Sequence, residues 1–139
     1  MNSNPKLLTF TTAARECAMQ MMLNAAYIQR QMPTIEVPDE IRAEIKSLCE
    51  KLIGTKHDIM TEVFELNEAA TDSAAVSDLP QVQRIMRWIA DTRGEIDRLV
   101  RSLQSKAREK PELFLAALLV TESGTNILNA SNTAENAAD

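Results

Sequence analysis

Apolar residues recur at steps of three and four along most of this chain, in four stretches divided by prolines or by small polar residues. That period belongs to amphipathic α-helices. In the first stretch Ala14, Cys17, Met21, Ala25, Ile28 and Met32 share one stripe, which predicts a helix from about Ala13 to Gln31. Thr11 or Thr12 is placed to cap it, with Glu16 close by, and Pro33 to stop it. Residues 1–10, polar and containing Pro5, read as a loose arm.

The second stretch opens at Pro38 with Asp39 and Glu40 in its first turn, where acidic groups suit the helix dipole. It predicts a long helix to about Ala70, with Ile41, Ile45, Leu48, Cys49, Leu52, Ile53, Ile59, Met60, Val63, Phe64 and Leu66 inward. Gly54 in its middle suggests a close crossing or a bend. After a small polar connection, Thr71 to Ser77, the third helix is expected from a cap at Ser77 or Asp78, through Pro80, to about Glu109. Val82, Ile85, Met86, Ile89, Ile96, Leu99, Val100 and Leu103 form its inner face. Pro111 then starts a fourth helix whose centre, Leu113 to Val120, is apolar all round and so calls for cover on several sides. It is expected to pass Gly124 and end near Asn129, leaving 130–139 without anchors and frayed.

Four helices with short connections predict an all-α fold, an antiparallel up-down-up-down four-helix bundle forming one domain over residues 1–139. Two long central helices would project beyond two shorter outer ones. Composition agrees: only 3 Gly and 4% aromatics argue against a sheet protein. At 139 residues the chain can bury a core without disulfides. Cys17 and Cys49, far apart and inside apolar patterns, read as buried free thiols in a reducing compartment. The first twenty residues show no apolar signal region, and no window of about 18 apolar residues is read as a membrane span. The expected location is cytoplasmic.

Charge changes the picture in two ways. The second helix, Asp39 to Ala70, carries eight acidic and four basic residues, and the third, Asp78 to Lys110, five acidic and eight basic. Asp58, Glu62, Glu65 and Glu68 crowd the end of the second helix, so a hairpin is expected to pair Glu65 with Arg84 and Glu62 with Arg87. A basic stripe of Arg84, Arg87, Arg98, Arg101 and Arg108 is the alternative reading, a small helical subunit of a nucleoprotein complex tracking phosphates. The net charge of −5 and the acidic neighbour helix disfavour nucleic acid.

Catalytic patterns are weak. His57, the single histidine, allows a third reading, histidine phosphotransfer in a bundle. The Lys and Gly that usually follow such a histidine by three and four residues are replaced by Met60 and Thr61, and a solvated histidine explains it as well. One histidine cannot build the paired Glu-x-x-His sites of di-metal bundles, and no Gly-rich phosphate loop is present. No cofactor, metal or enzyme activity is nominated.

The second effect of charge is its absence from residues 17–29, 113–121 and 123–134. Beyond a core stripe, the first helix has Met19, Met22, Leu23 and Ala26, and the fourth has Leu115, Leu119 and Ile127. Side by side these would make a continuous apolar patch of the kind that marks an interface. The expected function is a non-catalytic protein–protein interaction module (adaptor, small chaperone or regulatory subunit) acting through the first and fourth helices. A symmetric homodimer is the expected form, with another protein as the other possible partner.

Overall fold

The computed structural model describes residues 5–69 and 75–139. Its order is α1 (Pro5–Gln31), α2 (Asp39–Ala69), α3 (Pro80–Glu109) and α4 (Phe114–Ala138), with single 3-10 turns at Met32–Thr34, Val76–Asp78 and Pro111–Leu113. No strand occurs among the described residues. Buried residues from all four helices join in one core cluster. The chain is an all-α four-helix bundle, in which each helix packs on its sequence neighbours and α4 closes back on α1.

Cross-helix pairs run in opposite directions along three of these seams. Between α2 and α3, Glu62 meets Arg84, Thr55 meets Thr92 and Glu44 meets Lys106. Between α3 and α4, Gln104 bonds Thr121 and Arg93 pairs with Glu135. Asn24 of α1 is tied to Asn126 of α4, and a groove nearer the start of α1 and the end of α4 is lined by Leu8, Thr12, Thr133 and Ala137.

Both terminal helices are longer than their sequence suggested. α1 begins at Pro5, because Leu7 and Phe10 extend the stripe of Ala14, Cys17 and Met21 upstream and are buried. Thr11 is therefore no cap; it is buried inside the helix, and its hydroxyl donates to the Leu8 carbonyl at 3.1 Å. At the other end α4 runs through Gly124 to Ala138, and Ser131, Ala134 and Ala138 are buried. Small side chains supplied the anchors that large ones were expected to provide. With 27, 31, 30 and 25 residues the helices are of similar length, so no central pair stands proud of short outer helices.

The connections are built locally. The Arg42 guanidinium donates to the carbonyls of Met32 (3.2 Å) and Ile35 (3.0 Å), which binds the turn after α1 to the first turn of α2. α3 starts at Pro80 behind Leu79, with no side-chain cap from Ser77 or Asp78; the Gln83 side chain instead donates to the Ser77 carbonyl at 3.3 Å. Most of the connection expected at Thr71–Ser77 lies outside the described residues.

Two glycines differ in role. Gly54 is exposed and a Cβ there would meet nothing within 4 Å, so it marks no close crossing. At Gly124 a Cβ would fall 2.7 Å from Ile96 Cγ2, which makes Gly124 the contact point of α3 and α4.

The segment Pro111–Ala138 is, by length and composition, apolar enough to cross a membrane, against the expectation that no such window exists. Its most apolar 18 residues have a mean hydropathy of 1.3, and 44% of that window is buried inside the bundle. The core-facing helix of a bundle meets the same criterion, since one side of it is covered by protein.

Candidate interaction surface

The start of α4 is covered on one side only. Leu113, Ala116, Ala117, Leu119 and Val120 face the core, whereas Phe114, Leu115 and Leu118 remain 60%, 59% and 42% exposed. Two neighbours of this cluster, Ala107 and Arg108 on α3, join Phe114, Ala117, Leu118, Gln104 and Thr121 in lining an open, mostly apolar groove of about 290 Å³.

α1 has a second apolar surface. Leu8, Met19, Leu23 and Tyr27 are exposed, Ala26 is exposed beside them, and Met22 is half-buried. On a 100° wheel the core positions Phe10, Ala14, Cys17 and Met21 lie nearly opposite Met19, Leu23 and Ala26. The stripe thus faces directly away from the core. Two further apolar side chains, Ile53 and Phe64 of α2, are also exposed, although the sequence pattern placed them inside. Because α2 folds back after a short turn, Ile53 comes about level with Met19 and Phe64 with Leu8, by counting 1.5 Å per residue along both helices.

The apolar surface expected to run unbroken from α1 to α4 is therefore two patches. Leu119 and Ile127, assigned to the outer stripe from sequence, are buried in the core instead. A polar seam separates the patches. Asn24, itself buried, donates through Nδ2 to the Gln20 carbonyl (2.7 Å) and to Gln20 Oε1 (3.0 Å), and its Oδ1 accepts from Asn126 Nδ2 (3.0 Å). Glu16, Gln20, Asn126, Asn129 and Thr133 line the groove next to it. A satisfied buried amide at a helix seam fixes register, because any slip would leave it unpaired. Asn24 and Asn126 were missed in the sequence because an uncharged amide does not interrupt an apolar pattern.

The arginines of α3 are largely occupied. Arg84 donates to Glu62 Oε1 through Nε at 3.0 Å, Arg98 pairs with Glu95 at 3.2 Å and Arg101 with Asp97 at 3.2 Å. Near the turn between α2 and α3 the cross-helix pair is Glu62 with Arg84, one helical turn away from the expected Glu62–Arg87 and Glu65–Arg84 pairs. Arg87 and Arg108 have no ion-pair partner among the described residues. A stripe whose charges are met by carboxylates offers little net field to a phosphate backbone.

Neither thiol is poised for chemistry. Burial, reinforced by Glu135 against the opposing effect of Arg93, pushes the Cys17 thiol up to about 12. Burial and then Glu50 push Cys49 up to about 11. A reactive cysteine needs the opposite shift. His57 is exposed, and its carbonyl accepts the Thr61 hydroxyl at 3.0 Å as part of the helix. No cluster of three or more metal-ligating side chains occurs among the described residues. Comparison of the chain with protein-family models, with curated proteins and with solved structures gives no significant match.

Proposed function

We propose that this protein is a non-catalytic interaction module, which binds helical partners through apolar side chains on the outer faces of α1 and α4. An adaptor, a small chaperone or a regulatory subunit would use the surface in this way. The observation that carries the reading is the exposure of Phe114, Leu115 and Leu118 at the start of α4, together with Met19, Leu23 and Tyr27 on α1. Full burial of one such side chain contributes about 1.5–3 kcal/mol, so half-exposed ones still hold roughly 1 kcal/mol each for a partner to recover. A partner covering all six gains several kcal/mol before any polar contact. The free buried thiols fit a reducing compartment such as the cytoplasm.

The test is site-specific photo-crosslinking in cells that make the protein naturally. A crosslinker at Leu23 or Leu118 is expected to give discrete protein adducts, and one at the exposed Ser105 of α3 none. The reading fails if both apolar positions stay free of adducts.

A further inference from the structure

The outer stripe of α1 is self-complementary in charge as well as apolar. From Glu16 to Arg30 it reads Glu16, Met19, Leu23, Ala26, Arg30, a spacing of three and four that keeps one face of a helix. All five residues are exposed. Nothing charged lies between the two ends, and the ends have opposite sign. Neither Glu16 nor Arg30 has an ion-pair partner among the described residues. Leu23 stands midway, seven residues from each, and seven residues are two turns of helix, about 10.5 Å, with a drift of only about 20°.

We infer that a second copy of this chain docks on this stripe, α1 against α1, antiparallel about a two-fold axis at Leu23. This rests on the interaction reading above and names its partner. In that arrangement Leu23 meets Leu23, Met19 meets Tyr27 of the second copy, and Glu16 meets Arg30 of the second copy at both ends. A closed two-fold generates each contact twice. A parallel pairing would set Glu16 beside Glu16 and Arg30 beside Arg30, which like charges oppose. The strip from Thr12 to Arg30 is about 27 Å long and one helix, about 10 Å, wide. That is less than the roughly 800 Å² per partner of a stable complex, so the dimer is weak and draws on rim residues such as Ile53.

Sedimentation of the full chain with charge-swapped variants tests the geometry. Glu16→Arg and Arg30→Glu alone each turn two attractive contacts repulsive, and each is expected to weaken the dimer about three- to thirtyfold. Mixing those two variants restores association as a heterodimer, and the double variant Glu16→Arg with Arg30→Glu returns to the wild-type constant. All sites are exposed, so helical content stays unchanged, and the thermal midpoint of the Arg30→Glu variants falls only by the few degrees that a carboxylate at the negative end of α1 costs. The inference is overturned if the single swaps dimerise like wild type, if Leu118→Glu rather than Leu23→Glu dissolves the dimer, or if the wild type stays monomeric. A monomer whose Leu23 crosslinker captures a different protein removes the two-fold and leaves the interaction reading standing. A monomer with no adducts removes both.

Discussion

Gly124→Ala is the most direct probe of how α3 and α4 meet. The added Cβ would sit 2.7 Å from Ile96 Cγ2 and 3.8 Å from Val100 Cγ2. Carbon atoms prefer about 3.5–4.0 Å, so roughly 1 Å of movement is required. Ile96 is fully buried and β-branched, with few rotamers to retreat into. Overpacking of this kind costs about 1–3 kcal/mol, while replacing a helical glycine with alanine gains about 1 kcal/mol. The net expectation is a loss of about 0–2 kcal/mol. Gly54→Ala and Gly94→Ala are internal controls, since a Cβ at either position meets nothing within 4 Å; each should gain up to about 1 kcal/mol. Urea unfolding followed by helical circular dichroism reads the difference, and at a slope of about 1–3 kcal/mol per molar a gap of 2 kcal/mol moves the midpoint by about 1 M. In an Ile96→Ala background the penalty at 124 should vanish, a coupling of about 1–3 kcal/mol. If Gly124→Ala stabilised the protein as much as Gly54→Ala, with no coupling to Ile96, the close crossing would be wrong.

Three further outcomes follow from the packing. The thiols of Cys17 and Cys49 stay protonated in the fold up to about 12 and about 11, against 9.0 when unperturbed. Above pH 9 the unfolded chain ionises them and the fold does not, so stability falls as pH rises, by up to about 1.4 kcal/mol per pH unit per thiol; a Cys17→Ala, Cys49→Ala variant should lose that part of the slope in pH-dependent unfolding. Arg84→Met leaves the buried Glu62 carboxylate without its partner and should cost about 1–2 kcal/mol in urea unfolding, whereas Arg98→Met removes an exposed pair within one helix and should cost less than about 0.5 kcal/mol. Deleting residues 130–139 removes the buried Ser131, Ala134 and Ala138 and breaks the Arg93–Glu135 pair, so the thermal midpoint should drop by about 5 °C or more; an unchanged midpoint would restore the frayed tail.

The four helices and most of their inner faces were legible because period and proline spacing report burial directly. Val82, Ile85, Ile89, Ile96, Leu99 and Leu103 all proved to be core. The ends were less legible. Thr11 has the chemistry of a cap, yet Leu7 and Phe10 upstream continue the stripe, and the burial of Phe10 outweighs one capping hydrogen bond. The last turns of α4 were lost because Ala134 and Ala138 carry little hydrophobicity each and act by permitting close approach. On the surface, a run of apolar residues all round a helix does not state which side will be covered. Leu119 went in and Leu118 stayed out by a single residue step of 100°. Ile53 and Phe64 failed in the other direction, since a broad apolar face on α2 was wider than its neighbours could cover.

The central claim is that a second copy of the chain covers the bare stripe of α1. Mass in solution tests it most directly, by sedimentation equilibrium of the full chain from about 1 to 500 μM, a range wide enough to reach the weak association expected of a small interface. The account predicts a rise from the 15.5 kDa of one chain toward twice that mass, abolished by Leu23→Glu with the helical signal intact. A single 15.5 kDa species across the whole range would contradict it.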